Sequence, residues 1–307
     1  MKEVYTIAGI TRQGHFKAMK QQKHTQKDKE NILALCLGIR QEHPRIGCRA
    51  MYDLVKEKIA IGRDRFESLL LSNGYRVGKV KNYTRTTYST KTNYYPNGIS
   101  GLTITGINQV WQSDITYFYS QGKFYYLVFI IDVYSRRIIG YQANKHMLAV
   151  ANRNALQMAF KTRGNLPSLK SLLHHSDRGS QFIDRLYVQM LKYKGITPSM
   201  CLNSWENAYV ERVNGTIKND YLKHRKIDGL QSLRKHLKEA VKSYNQTRPH
   251  QSLPERISPC QFEQGLLDKS FAAIPMTIYD TKMKEGQKSK NKIVQTNKKF
   301  NLDSLIS

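Results

Sequence analysis

Acidic residues are scarce in this chain: 23 aspartates and glutamates stand against 50 lysines and arginines over 307 residues, a formal net charge of +27. That excess favours a nucleic-acid partner, with a basic ribosomal-type or membrane-surface protein as the plainer alternative. Cysteine is scarce too. The four, Cys36, Cys48, Cys201 and Cys260, are scattered and form no C-x-x-C pair. They read as reduced thiols of a cytosolic protein and argue against a zinc site or a disulfide framework. The chain contains no run of about 18 apolar residues, the length a membrane-spanning helix needs. Its N-terminus lacks the compact apolar core of an export signal. These absences predict a cytoplasmic, nucleoid-associated protein with no membrane partner.

What the chain does have is positive charge along its whole length. Residues 1–100 hold 19 Lys and Arg against 8 Asp and Glu, and 282–299 hold seven lysines and one glutamate. Between about 27 and 76 the apolar spacing is helical. One helix should stop before His43-Pro44, because the residue ahead of a proline is pushed out of helical geometry. A second is expected over 48–58, with Met51, Leu54 and Val55 inward, and a third over 63–72, with Phe66, Leu69 and Leu70 inward. Asn73-Gly74 then supplies a stop. Two short helices around the turn 59–62 fit a helix-turn-helix, with Arg63 and Arg65 at the start of the second helix, where base or phosphate contacts are made. Helical hairpins without a DNA role are common; the charge favours DNA.

Five segments follow: an N-terminal basic segment over 1–25, a helix-turn-helix domain over 26–78, a linker over 79–107 expected to touch nucleic acid, a core over 108–265 and a basic tail over 266–307. In the core, strands are expected at 110–118, 123–132, 137–142, 171–175 and 197–201, and helices at 149–161, 180–194, 205–221 and 230–246. Three meandering strands followed by alternating helices and strands imply an α/β fold, a mixed sheet with helices on both faces.

Three acids lie in separate settings: Asp114 in WQSDITY (111–117), Asp177 in HHSDRGSQF (174–182) and Glu211 in SWENAYVERVNGTIK (204–218). Asp114 falls mid-strand, sharing a face with Gln112 and Thr116 while Trp111, Ser113, Ile115 and Tyr117 take the other. A carboxylate there is costly unless it is paired or bound to metal. Asp177 follows the 171–175 strand, and in such sheets ligands collect at the carboxyl ends of strands. Glu211 stands one turn into a helix. For any one of them alone an ordinary ion-paired acid is the simpler reading. Together they suggest a phosphoryl-transfer site in which carboxylates hold hard divalent cations against a polyanion.

These three strings, in this order, resemble the catalytic core of insertion-sequence transposases of the retroviral-integrase (DDE) type, which has a ribonuclease H-like fold. The resemblance extends to IIDVYSRRIIGY (130–141) and to YNQTRPHQSLPERISPCQF (244–262). Upstream, 43–77 resembles the helix-turn-helix segment of the second-frame (OrfB-type) proteins, and VYTIAGITRQGHFKAMK (4–20) is similar to their N-terminus. The resemblance implies that Asp114, Asp177 and Glu211 bind two Mg²⁺ or Mn²⁺ ions and drive strand cleavage and strand transfer. It also implies that Lys218, two helical turns beyond Glu211, meets DNA phosphate beside the metals. The 33 residues between Asp177 and Glu211 are slightly fewer than the family's usual number, a shortfall expected in the loop 201–204. Glu206 is the rival acid; Glu211 is favoured because it follows the Asn-Ala pair.

Other residues carry weaker readings. His175 and Arg178 flank Asp177 and either contact the scissile phosphate or brace the strand end. Asp132 reads as a turn residue. Tyr244, Asn245, Arg248, Pro249 and His250 form a shared signature read as a helix end, with Arg248 on phosphate as an added role. Trp111 and Trp205 read as core. The expected partners are the element's terminal inverted repeats, target DNA, further copies of the chain and an upstream-frame protein that supplies a coiled coil. The chain opens on Met1 and shows no heptad run, which predicts the catalytic portion alone. Two other functions fit the same fold: a metal-dependent nuclease, and a DNA-binding regulator without catalysis.

Overall fold

In the computed structural model, which describes residues 11–78, 94–164 and 171–279 together with Gly9 and Leu169, the first described element is helix α1 (Arg12–Glu42). The Thr11 side chain caps it by accepting from the Gly14 N–H, satisfying one of the donors a helix start leaves unpaired. The expected separate segment over 1–25 is therefore corrected. From Arg12 onward it is the exposed first half of a long helix, rich in Lys, Gln and other good helix formers. Apolar spacing missed it because only Ile32 and Cys36 of α1 are buried. His43 closes the helix ahead of Pro44, as the sequence predicts.

Helices α2 (Cys48–Val55) and α3 (Arg63–Ser72) follow. They pack with α1 around Ile32, Cys36, Ile46, Met51, Phe66 and Leu70. Each large apolar side chain buried there contributes about 1.5–3 kcal/mol. Arg63 and Arg65 stay exposed at the start of α3.

The core is a five-stranded sheet of β2 (Val110–Ser120), β3 (Lys123–Asp132), β4 (Ile138–Asn144), β5 (Leu173–Ser176) and β6 (Thr197–Met200), preceded by the short strand β1 (Thr103–Ile104). Strand order is β4-β3-β2-β5-β6. The β2–β3 and β3–β4 pairs are antiparallel, β2–β5 and β5–β6 parallel. Gln121 and Gly122, both at positive φ (48° and 74°), make the two-residue turn between β2 and β3, the geometry a twisted hairpin favours. Strand β3 is almost wholly apolar because helices cover both faces. Leu127, Phe129 and Ile131 pack against α6 (Ala208–Thr216) and α7 (Leu230–Gln246). Val128 and Ile130 pack with Trp111 against α4 (Ala149–Arg163) and α5 (Arg185–Tyr193). This is the ribonuclease H-like arrangement, a mixed sheet between two helical layers behind an all-helical N-terminal module.

Several expected boundaries change. The single helix expected over 180–194 is a short turn at Ser180–Phe182 and then α5, which starts afresh because Asp184 caps it and pairs with Arg153 at 2.7 Å. The helix expected over 205–221 is α6 followed by a π-helical turn, Ile217–Tyr221. The expected linker divides: 79–93 lie outside the described residues, whereas 94–107 strap the core. Ile99 and Ile104 are buried, and the Gly98 N–H donates to Ser199 Oγ at 2.9 Å. This stretch shows no period because Asn97 organises it locally, accepting from the N–H groups of Ile99 and Ser100. The expected tail also divides. After α8 (Pro259–Leu267), strand β7 (Met276–Thr277) pairs antiparallel with β1, and Ile278 is buried. The lysines of 282–299 lie outside the described residues. Among the described residues no helix is long and apolar enough to cross a membrane.

Gly140 on β4 lies directly beneath α4: a Cβ there would sit 2.2 Å from the Ala155 carbonyl oxygen, a backbone atom that cannot rotate away. Gly140→Ala is expected to destabilise the core by about 1–3 kcal/mol or more, read as a lowered thermal midpoint. A midpoint equal to the parent's would show that the sheet and α4 separate freely.

Candidate active site

The site is built where β2 meets α6. Successive residues on one face of a strand advance about 6.6 Å per pair, and successive turns of a helix about 6 Å per four residues. The two repeats match closely enough for β2 and α6 to be tied at three levels. At the first, Gln112 Nε2 donates to the Glu206 carbonyl at 3.1 Å, and Gln112 Oε1 accepts from the Val210 N–H at 3.3 Å. Helix α6 has no side-chain cap of its own, so a strand residue satisfies its first turn. At the second, Asn214 Nδ2 donates to Asp114 Oδ2 at 2.6 Å. At the third, Lys218 Nζ donates to Thr116 Oγ1 at 2.6 Å. Asn207 adds a bond from Nδ2 to the Ser113 carbonyl at 2.9 Å.

Parallel pairing sets the second acid beside the first. Ser113 is registered against Ser176, so Asp177, one residue past the end of β5, draws level with Asp114. The Gly179 N–H donates to Asp177 Oδ1 at 3.0 Å, and a Cβ on Gly179 would come equally close to that oxygen. Glycine therefore lets the backbone approach the carboxylate. Glu211 is exposed on the first turn of α6 and receives no hydrogen bond or ion pair from the described residues.

The three acids act on one another electrostatically. Burial raises Asp114 well above the ordinary carboxylate range, and Asp177 and Glu211 raise it further, against an opposing pull from Lys218. Asp177 is raised by burial and held back by the Gly179 N–H. Glu211 is raised by burial and then by Asp177. Burial lowers Lys218, the one cation set against them. The nearby Cys201 thiol is pushed up to about 12 by burial and by Asp177, Glu206 and Asp114, which leaves it protonated and inert. Among the described residues no three His, Cys, Asp or Glu side chains are already gathered into a ligand set for a metal ion. Asp114, Asp177 and Glu211 act on one another through their charges. Their oxygen donors and unbalanced negative charge nonetheless suit a hard divalent ion.

The other candidate residues fall into place around this centre. Glu206 is buried and engaged, accepting from Leu202 N at 2.7 Å, Asn97 Nδ2 at 2.8 Å and Asn203 Nδ2 at 3.2 Å. It braces the loop and is not brought to the other acids. Arg178 lies 4.7 Å over the Tyr94 ring. His175 is a strand brace, bonded through Nδ1 to Ser199 Oγ at 2.8 Å and lowered to about 4 by burial, so it is neutral. Arg248 is partly engaged: Nη2 pairs with Asp220 at 2.7 Å and the guanidinium packs 5.6 Å from the Tyr221 ring, while the buried Nη1 has no partner. Asp132 is a turn residue, accepting from Asn108, Tyr134 and Ser135 N–H groups and pairing with Arg163 at 3.1 Å. Asn245 clamps both backbone groups of Ile138. Trp111 is buried core, and Trp205 packs edge-on to Tyr279. Sequence reasoning missed Gln112, Asn207 and Asn214 as partners of the site. The signal for Asn214 was there: it stands four residues before Lys218, on the face that looks at β2.

Raised carboxylates carry a stability consequence. The folded pKa of Asp114 exceeds the unfolded value of about 3.9, so the native state holds a proton more tightly, and stability falls as pH rises through the folded value. Without divalent ions, Asp114→Asn is expected to melt above the parent near pH 7, the gain fading as pH falls toward about 4. An equal or lower melting point near neutrality would mean that Asp114 is not strained by its neighbours.

Residues 105–203 match a family model described as an integrase core domain, and 195–258 match a second model of that description. The two together span half of the chain. The insertion element IS600 uncharacterized 31 kDa protein of Shigella sonnei is 29% identical over 266 residues, covering 84% of this chain and 96% of that protein. The putative transposase for insertion sequence element IS986/IS6110 of Mycobacterium tuberculosis is 34% identical over 120 residues, 38% of this chain and 43% of that protein. Transposase InsF for insertion sequence IS3A of Escherichia coli is 31% identical over 162 residues, 52% of this chain and 55% of that protein. For these last two relatives the match spans about half of their length. Among solved structures, the HTLV-2 integrase catalytic core domain in complex with magnesium is 20% identical and covers 54% of this chain and 99% of that one, with a TM-score of 0.40. With integrase-core matches over half its length and insertion-element proteins as its relatives, the chain belongs to the insertion-sequence transposases that carry an integrase-like core.

Proposed function

We propose that the chain cleaves and joins DNA strands at the ends of an insertion element, as a polynucleotidyl transferase of the DDE type. The observation that carries this reading is the convergence of Asp114, Asp177 and Glu211, from two adjacent strands and a helix, into one unbalanced acidic centre with Lys218 beside it. The three carboxylates would hold Mg²⁺ or Mn²⁺, with two ions as the full complement. Such ions supply activation of the attacking oxygen and neutralisation of the leaving one.

The chain's own residues do the rest. Asn214 fixes one oxygen of Asp114 by its 2.6 Å bond and leaves the other to turn toward a ligand. Gly179 does the same for Asp177. Lys218, parked on Thr116, keeps further donors for a phosphate oxygen. Arg178 is steadied by Tyr94 and can meet a neighbouring phosphate. Glu211, unbonded and exposed, is free to swing in. A regulator that binds DNA without cutting it would have no use for three uncompensated acids. A simple nuclease would have no use for a recognition module docked on the core.

Asp114→Asn, Asp177→Asn and Glu211→Gln are each expected to reduce strand transfer with Mg²⁺ to background while binding to end DNA persists, because an amide keeps the shape and loses the charge. Glu206→Gln is expected to retain transfer. Activity surviving in Glu211→Gln but lost in Glu206→Gln would move the third role to Glu206.

The exposed Arg63 and Arg65 at the head of α3 are assigned to the terminal repeat. Reversing both charges is expected to weaken binding to that repeat about tenfold or more beyond the loss on random duplex, since a good base contact is worth about 1–3 kcal/mol. Equal losses on both DNAs would confine these arginines to the backbone.

A further inference from the structure

The far side of α6 looks away from the acids into a cleft of about 560 Å³ between the helix-turn-helix module and the core, a volume suited to a ligand of nucleotide size or larger. Arg49 of α2 lines one wall, and Arg136, Arg212, Arg248 and Arg256 line the other. Three of these five charges are balanced: Arg49 by Glu67 at 2.8 Å, Arg248 by Asp220 at 2.7 Å and Arg256 by Asp53 at 3.0 Å. Arg136 and Arg212 form no ion pair among the described residues.

The two unbalanced arginines differ. Arg136 is buried, lies 4.2 Å over the Tyr209 ring, and donates to the Val133 carbonyl and, at 3.3 Å, to Ser252 Oγ. Its donors are engaged, so it contributes field. Arg212 is exposed and can make contacts. Arg248 adds a third feature, because its buried Nη1 has no hydrogen-bond partner. The positive field registers independently on His250, which lines the same cleft: after burial, the arginines 136, 212 and 248 lower it to about 3. No aromatic face is offered to a base. Tyr209 is occupied by Arg136 and by Tyr279, stacked at 5.5 Å and 19°. The one carboxylate among its lining residues, Asp53, is paired with Arg256, so the cleft keeps a net positive charge.

We propose that this cleft is a second nucleic-acid site, which seats the phosphodiester backbone of a DNA strand through the exposed Arg212, with the unpartnered Nη1 of Arg248 behind it. The assignment rests on the DNA-joining reading of the neighbouring acids. Glu211 and Arg212 are consecutive on α6 and so point about 100° apart, one toward Asp177 and the other into the cleft. A strand held there passes along the catalytic helix and touches the recognition module and the core together.

Duplex binding by the full chain, measured without divalent metal across a salt series, tests this. Arg212→Gln is expected to lower the slope of log affinity against log salt by about 0.9, the loss of one phosphate contact, and Arg212→Lys to preserve it. An unchanged slope in Arg212→Gln overturns the proposal. A second measurement needs no variant. Duplex DNA is expected to protect Arg212 of the native chain from an arginine-specific dicarbonyl reagent, followed by mass spectrometry. Absence of protection, or equal protection by inorganic phosphate at the same phosphate concentration, overturns it. A reduced slope in a chain that shows no strand transfer would keep the cleft and sink the catalytic reading instead.

Discussion

The lock between β2 and α6 is the constraint on which the rest of the site depends. A polar row on a strand is tied to a helix one turn at a time: Gln112 to the Val210 N–H, Asp114 to the Asn214 side chain, Thr116 to the Lys218 side chain. Each bond joins groups that would otherwise be half-buried and unsatisfied, a loss of about 1–3 kcal/mol apiece. A slip of one residue on the strand would turn all three side chains to the opposite face. A slip of one on the helix would carry Glu211 away from Asp177 by about 100°. The register that satisfies the polar groups is thus the one that assembles the acids. Around it, Val210, Val213 and Ile217 pack against Leu127, Phe129 and Ile131, so apolar burial holds the helix on the sheet while the polar row sets its position.

What marks the three acids is the contrast with the other carboxylates of the fold. Asp132 and Glu263 are more deeply buried than any of the three, and they share Arg163, while Glu263 also takes Arg137. Arg163 holds Glu263 below its ordinary range, the reverse of the direction at Asp114. Asp53, Asp184 and Asp220 each have an arginine. In a chain with a formal charge of +27 cations were plentiful, so acids left with a single buried lysine are a departure from the local rule. Structures tolerate such strain at sites whose ligand relieves it.

The sheet and its order of elements were legible because both codes are strong. The β3 run and α7 have the bounds their apolar patterns predict, 123–132 and 230–246. The acids were legible through the strings around them. The misreadings have physical sources. The first half of α1 buries nothing, so no period announces it. Residues 94–107 and 268–279 are irregular straps whose order comes from Asn97, from the β1–β7 pair and from Ile99, Ile104 and Ile278 against Val133 and Phe262. Such contacts are long-range and leave no local pattern. The same holds for Arg248, whose signature was visible but whose partner Asp220 lies across a turn that sequence read as plain helix.

That turn also connects the N-terminal helical module to the acidic centre. The π-helical segment Ile217–Tyr221 carries Lys218 toward the acids and delivers the Tyr221 hydroxyl to His43 Nδ1 at 2.7 Å, at the end of α1. His43 is buried and lowered to about 4, first by burial and further by Arg248, so this contact is between neutral groups around physiological pH. Thr247 Oγ1 also bonds His43 Nε2 at 3.1 Å, whereas Arg256 to Asp53, Arg225 to the Gln41 carbonyl and Thr247 to Glu42 involve charged groups nearer the surface and weaken as salt rises. A neutral, buried bond does not. The spacing between Arg63 and Arg65 on one module and Asp114 on the other is therefore held in part by a contact that salt does not weaken.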